Sequence, residues 1–365
     1  MAVFPPPPVA NVVNGHIEST YSDETKEWSP PKFVASPYLQ VHGLCSGLNY
    51  GMQTFEGMKA FRTPSNRIAL FRPQENAARL RRSTAFLGIP EISQKHIVEC
   101  VHLAVGVNAE YVPPLGTGAA LYVRPLIFGS AAQVMLNPPK EYTFCVYVTP
   151  TGTYHGSRPL SALILEDLDR AAPEGTGSYK IGGNYAPVFN FAKKARTEGF
   201  EITLHLDSKT RSEIDEFTTS GFIGVKVNGE NVTLVVPDSK SALKSITSES
   251  ACEIAATFGW AVERRRVPYE ELASFTEVIA AGTAAALVPI KSISMRSKQE
   301  KLLYRCGSDD PGPTVTRLLK TLQGIQMGTV QDMFGWLEYV ESPGNLLGGQ
   351  VKDVPEIGRQ ARAQL

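Results

Sequence analysis

"GTGSYKIGGNY", residues 175–185, sets a single lysine, Lys180, among four glycines with no acid in the stretch. Glycine lets backbone come close to a bulky group. A lysine that bonds a carbonyl carbon must be held near it and kept partly neutral. Taken alone, the stretch reads more readily as a surface loop carrying a solvated lysine.

The next stretch shifts that balance. "EIDEFTTSGFIGVK" (213–226) reads as one strand bearing Glu213, Asp215 and Glu216. Alternation puts Ile214, Glu216 and Thr218 on one face, and Glu213, Asp215 and Phe217 on the other. A carboxylate inside a protein is costly unless a cation meets it, and a protonated pyridine nitrogen is such a cation. In pyridoxal phosphate chemistry an acid at that nitrogen keeps the ring an electron sink. A phosphate needs cations and free N–H groups. "ARLRRS" offers Arg79, Arg81 and Arg82; "KSITSES" (244–250) opens a helix with Ser and Thr at cap positions; "AAGTAAA" offers Gly282 and the Thr283 hydroxyl. Each of these is weak singly, since arginine clusters usually form solvated faces and Ser or Thr before a helix is usually only a cap.

Composition narrows the partner. The 365 residues exceed one compact core, so two domains are expected. Lys plus Arg and Asp plus Glu both number 36, which gives no electrostatic reason to expect a nucleic acid or an anionic membrane and leaves a small molecule as the expected ligand. Five scattered cysteines, without a CxxC, argue against a disulfide framework or a zinc ribbon and suit a reducing compartment. "MAVFPPPPVANVV" has neither a basic n-region nor an Arg-rich amphipathic pattern. The longest apolar stretch, 278–290, is too short and too broken to span a bilayer. The expectation is a soluble, cytoplasmic protein, with an organelle left open and no metal site.

Helices are expected over 74–88, with Ala77, Leu80, Thr84 and Leu87 on one stripe and Gly88 as its stop, over 93–112, over 185–200, in "SITSESACEIAATFGWAVERR" (followed there by a strand), and late in the chain at "VTRLLKTLQGIQMG". Strands are expected at 67–73, 119–129, 141–150, after 160, and near 201–206, 213–226 and 231–236, with a strand–turn–strand at "TEVIAAGTAAALVPIKSI". The sum is an α+β chain of two domains: a smaller N-terminal domain over 1–148 with a loose arm at 1–30, an interdomain loop at 149–160 rich in Thr, Gly and Pro, a larger C-terminal domain over 161–341, and a polar tail at 342–365.

The order of these features resembles the fold-type IV pyridoxal-phosphate enzymes, a D-amino acid aminotransferase-like fold, and within them the eukaryotic-type branched-chain amino acid aminotransferases. The resemblance covers about residues 35–341 and rests on "YGMQTFEGMKAFR", "LYVRP", "KIGGNYAP", "GTAAALVP" and "GIQMG", of which "FEGMKAFR" with "KIGGNY" is the most specific. It implies pyridoxal 5'-phosphate as cofactor, Lys180 as the Schiff-base lysine and proton carrier, and Glu216 as the ring-nitrogen carboxylate because Thr219 follows at the family spacing, with Glu213 the competitor. Tyr185 would bond the ring oxygen. Arg82, the N–H groups of Ile246 and Thr247, and the Thr283 hydroxyl would hold the phosphate, leaving Arg79 and Arg81 to solvent or a partner. Phe55 and Tyr122 would wall the substrate side-chain site, and Arg124 would help hold the acidic side chain of glutamate or orient the tyrosines. Tyr154 would close over the substrate, and Ala284 and Ala285 would bind its carboxylate. Tyr50 would reach a neighbouring subunit's site, implying a homodimer.

The implied reaction is ping-pong transamination between leucine, isoleucine or valine and 2-oxoglutarate. The alternative is a related enzyme of specialised metabolism with a different amino or keto acid, or an amine. An aminodeoxychorismate-type lyase and a non-catalytic binding protein are the competitors from other classes. The chain departs from the family at Gly221, where an asparagine is usual, and it lacks a CxxC after the Gly-Thr turn.

Overall fold

The computed structural model describes residues 12–152, 158–306 and 311–341. They form two compact units, one within Pro5–Thr153 and Gln326–Leu365, the other within Tyr154–Ile325. Among the described residues no helix is long and apolar enough to cross a membrane.

The first unit is built on an antiparallel sheet ordered Leu337–Tyr339, Ile68–Phe71, Met58–Arg62, Ala120–Gly129, Glu141–Thr151, His16–Ser22, Glu27–Trp28, with Lys32–Val34 on His16–Ser22 and Gln53–Phe55 on Ala120–Gly129. Period-two alternation divides its long central strand. Leu121, Val123 and Ile127 point into a core shared with Ala77, Leu80, Ile97 and Val101, while Tyr122, Arg124 and Leu126 take the opposite face. The helix Pro73–Phe86 carries Ala77, Leu80 and Thr84 on its buried stripe and ends before Gly88, whose φ of +69° suits glycine. Ser93 caps the next helix by accepting from the His96 N–H at 3.1 Å. That helix ends at Gly106, short of the expected 112. Asn108 supplies the reason: its amide donates to the Ala104 carbonyl at 2.8 Å and to the Gly15 carbonyl at 3.1 Å, replacing a further turn.

Two boundary expectations need correction. The arm expected at 1–30 is a paired strand over His16–Ser22, in register with the long strand from Ile17 opposite Val146 to Ser22 opposite Glu141. Ile17 is buried in the core, which gives this segment the apolar anchor that its polar composition hid. Residues 326–341 belong with the N-terminal unit, because Leu337–Tyr339 pairs with Ile68–Phe71. The polar tail at 342–365 lies outside the described residues.

The second unit has a mixed sheet ordered Ile214–Phe217, Ile202–Leu206, Leu160–Ile164, Ala286–Met295, Glu277–Gly282, Gly221–Asn228, Asn231–Pro237, Ala261–Arg265, with Glu300–Leu303 on Ala286–Met295. The single strand expected over 213–226 is two strands with a tight turn between them, where the Ser220 N–H donates to the Phe217 carbonyl at 3.3 Å. The turn is stabilised from inside: the rings of Phe217 and Phe222 stack at 5.7 Å, and Thr218 turns its hydroxyl into Thr203 and His205. The helix Pro313–Gln326 is held by Glu277, a buried carboxylate that accepts from the Thr314 and Val315 N–H groups, each at 3.1 Å. This offsets the partial positive charge of the helix N-terminus.

Candidate active site

Lys180 is half-buried and donates from Nζ to the Tyr185 hydroxyl at 3.2 Å. Its loop is laced by one side chain rather than by strand pairing. Asn184 donates from Nδ2 to the Thr176 carbonyl at 2.7 Å and to the Tyr179 carbonyl at 2.9 Å, and accepts from the Thr176 hydroxyl. The glycines play different parts. A Cβ on Gly177 would lie 2.2 Å from both the Ala171 Cβ and the Ser241 carbonyl oxygen, so this glycine makes room for the protein's own chain; Gly183 has open space around it.

The acidic strand separates its carboxylates. Glu213 is half-exposed, with Arg266 3.4 Å away. Asp215 is buried, which raises its carboxyl above the usual range. Glu216 is also buried, with a side chain only 5% exposed. Its Oε1 accepts from Arg170 Nη1 and, at 3.0 Å, from the Leu243 N–H. Its Oε2 has no donor among the described residues. Burial drives the Glu216 carboxyl up to about 7, against the opposing pull of Arg170, the Leu243 N–H and Lys180. Arg170 escaped the sequence reading because it stands in "EDLDRAAPEG", where acids on both sides read as solvated charge. Its side chain is 4% exposed.

The helix Ile246–Thr257 starts at Ser245, whose hydroxyl oxygen accepts from the Ser248 N–H at 3.2 Å and which donates to the Ala281 carbonyl at 3.0 Å. The N–H groups of Ile246 and Thr247 have no acceptor among the described residues, as expected of a first turn. Thr283, Ala284 and Ala285 form the apex of the hairpin between Glu277–Gly282 and Ala286–Met295, and Ala286 closes it with a φ of +58°. Thr219 is exposed and its turn meets that apex: a Cβ on Gly282 would lie 2.9 Å from the Ser220 hydroxyl and 3.2 Å from the Thr219 carbonyl. At Gly221, the departure from the family, a Cβ would lie 2.6 Å from Ser248 Oγ and 3.0 Å from Ser245 Cβ. The two serines therefore occupy the space a side chain at 221 would need.

In the first unit the substrate-side candidates cluster. Arg124 donates from Nη2 to the Tyr122 hydroxyl at 3.0 Å, and its guanidinium carbon lies 4.9 Å from the Phe55 ring centroid. Gly57 is shaped by this cluster, because a Cβ there would fall 2.1 Å from the Tyr122 hydroxyl. Beneath it, Glu56 is fully buried. It accepts from Arg79 Nε at 2.7 Å, from Arg79 Nη2 at 2.9 Å, from Asn76 at 2.9 Å and from the Gly57 N–H at 3.1 Å. This corrects the expectation for Arg79: it is a buried partner of Glu56 and not a solvent contact. Arg81 pairs with Glu91, and Arg82 is exposed. Tyr50 stands apart from the Phe55 cluster. It is 48% exposed and donates to the Val134 carbonyl at 3.4 Å, amid exposed Leu48, Met135 and Leu136. Tyr154 lies outside the described residues.

The amino-transferase class IV family model matches residues 53–293, well over half of the chain. Aminotransferase atnJ of Emericella nidulans is 51% identical, over 93% of this chain and 99% of that protein. Branched-chain amino acid aminotransferase gloG of Glarea lozoyensis is 48% identical, again over 93% and 99%. Among solved structures, the branched-chain amino acid aminotransferase of Escherichia coli superposes with a TM-score of 0.71 at 24% identity, covering 90% of this chain and 99% of that one. At that identity the likeness speaks for the fold alone, and the fold is that of the fold-type IV enzymes. The cofactor of the family is pyridoxal 5'-phosphate. The residues present fit it: a lysine, an unpartnered oxygen on a buried carboxylate, and two helix N–H groups without acceptors. The chain belongs to the class IV aminotransferases.

Proposed function

We propose that the protein transfers the amino group of a hydrophobic L-amino acid to 2-oxoglutarate in two half-reactions at one site, and that its own donor or acceptor lies outside the leucine, isoleucine and valine set, in specialised metabolism. The observation that carries the transaminase reading is the trio of Lys180, Tyr185 and Glu216, with Glu216 Oε2 left open. Pyridoxal phosphate, when bound, supplies an aldehyde and an electron sink for the charge that develops at the substrate's Cα. Lys180 would take the proton from Cα and return it, kept in reach by the Tyr185 hydroxyl. Glu216 would receive a ring N–H at Oε2. The Ile246 and Thr247 N–H groups and the Thr283 hydroxyl would bind the phosphate. Thr219 would support the turn beside them, and Ala284 and Ala285 would meet the substrate carboxylate.

Phe55, Tyr122 and Arg124 support a side-chain site that accepts both kinds of substrate, since aromatic walls suit an apolar chain and the guanidinium suits the distal carboxylate of glutamate. The resemblance assigns the phosphate cation to Arg82. Arg79 competes for that role, because it is buried and fixed in direction by Glu56 whereas Arg82 is exposed. The altered substrate is supported by Gly221, where Ser245 and Ser248 crowd the space that the usual asparagine would need. A homodimer is supported by the exposed apolar residues around Tyr50. A reducing, cytosolic setting is supported by five cysteines, none in a disulfide.

The test is the change in cofactor absorption when the loaded enzyme meets single donors: L-leucine, L-glutamate, D-alanine and a simple chiral amine. Conversion with L-glutamate but not L-leucine is expected. Rapid conversion with both would return the enzyme to ordinary branched-chain metabolism, and no conversion with any donor would remove the transaminase reading.

A further inference from the structure

We propose that Arg170 is a positioning residue of this site: its guanidinium holds Glu216 in one orientation and favours its charged form, with Oε2 turned to the site as an acceptor. The inference rests on the transaminase reading and deepens it.

Three observations carry it. The pair is buried at both ends, with side chains 4% and 5% exposed. Arg170 Nη1 and the Leu243 N–H both engage Oε1, so the carboxylate's orientation is fixed from one side only and the other oxygen is spared. The same guanidinium lies 5.8 Å from the ring centroid of Tyr185, the residue that bonds Lys180, so one cation touches two members of the trio.

The charged and titratable groups around Glu216 show why this cation is the one that matters. Asp215, on the same strand, opposes ionisation of Glu216. His205 faces it across the strand pair, with Nε2 on the Thr218 hydroxyl at 2.8 Å and Nδ1 buried without a partner among the described residues. Burial and the Arg170 charge pull His205 down to about 3, so it is neutral and offers Glu216 no charge. Lys180 and Arg170 remain. A lysine that bonds a carbonyl and carries a proton changes its charge during turnover, whereas a guanidinium does not. Arg170 therefore supplies the constant part of the field on Glu216.

The experiment is a pH titration of the bound cofactor's absorption, from about pH 5.5 to 9.5, with cofactor affinity measured alongside. The proteins are wild type, Arg170→Met, Arg170→Lys, Glu216→Gln and the Arg170→Met/Glu216→Gln double variant. Arg170→Met should move the acid limb upward by at least one pH unit, and Arg170→Lys should bring it most of the way back. Glu216→Gln should remove the limb, and adding Arg170→Met in that background should change nothing more. Should Arg170→Met not fold, Arg170→Gln takes its place with the same expected shift. An unmoved limb in the neutral variants overturns the inference, and so does an equal shift in the Glu216→Gln background. If Glu216→Gln itself titrates like wild type, the reading of Glu216 fails; if only the Arg170 variants are silent, this inference alone fails.

Discussion

Gly57→Ala should cripple the proposed substrate wall of Phe55, Tyr122 and Arg124 by adding one carbon. The new Cβ would lie 2.1 Å from the Tyr122 hydroxyl and 2.9 Å from the ring carbon that bears it. The first distance is about 1.3 Å short of ordinary van der Waals separation, so Tyr122 has to move. The backbone itself tolerates alanine, because Gly57 is not among the positive-φ residues. The hydroxyl accepts from Arg124 Nη2 at 3.0 Å, and a displacement of that size breaks or distorts the bond. Overpacking of this kind costs roughly 1–3 kcal/mol. At about 1.4 kcal/mol per factor of ten, kcat/KM for L-glutamate should fall roughly 5- to 150-fold. The assay is single-turnover conversion of the bound cofactor by L-glutamate and by an apolar donor, in wild type and in Tyr122→Phe. Removing the hydroxyl takes away the shortest contact, so Gly57→Ala should cost clearly less in the Tyr122→Phe background. Full activity of Gly57→Ala towards glutamate would refute the reasoning, as would an equal loss in both backgrounds.

Lys180→Ala should abolish amino transfer while the cofactor still binds without a covalent link, as read by mass spectrometry after borohydride reduction. Arg79→Met strands the Glu56 carboxylate in the core and should destabilise the protein by about 3–5 kcal/mol in denaturant melts. If the phosphate belongs to Arg82, cofactor affinity falls about tenfold in Arg82→Met; loss of cofactor in Arg79→Lys but not in Arg82→Met moves the role to Arg79. Ser248→Ala removes a buried hydroxyl without a partner among the described residues and should raise the melting temperature of the cofactor-free protein, by the equivalent of about 1 kcal/mol. Glu216 is held above its ordinary value of 4.5, up to about 7, so its contribution to stability is full below about pH 4.5 and is lost as pH rises through 7. The melting temperature of the cofactor-free wild type, less that of Glu216→Gln, should therefore fall between pH 5 and pH 8.

The sequence made legible whatever repeats at a fixed period. The alternation along 119–129 and the stripe of Ala77, Leu80 and Thr84 each survive as a strand and a helix. What escaped lacks a local signature. The turn at 218–220 is Thr-Thr-Ser, and β-branched threonine favours a strand, so nothing marked the break. Arg170 meets Glu216 across 46 residues, and Arg79 meets Glu56 across 23, distances at which periodicity is silent. Asn184, between Gly183 and Tyr185, carries no periodic signal, although it is the side chain that ties the Lys180 loop together. Three-residue strands such as Leu337–Tyr339 are set by the partner they join.

That last strand has a consequence for how the chain is made. Leu337–Tyr339 completes the edge beside Ile68–Phe71, where the Arg72 N–H donates to the Trp336 carbonyl at 2.7 Å and Phe71 meets Trp336 edge-on. On the ribosome, the first unit to emerge is thus the last to be finished. Its sheet waits with an unpaired edge for roughly 10–40 s, at about 5–20 residues per second, while the whole of the second unit is synthesised. The described residues of the second unit all come from one stretch of sequence, which can close as soon as it is released. The outer unit, interrupted by it, spends that interval exposing a strand edge that invites pairing with other chains, which makes the nascent N-terminal unit the part of the molecule with most to gain from a chaperone.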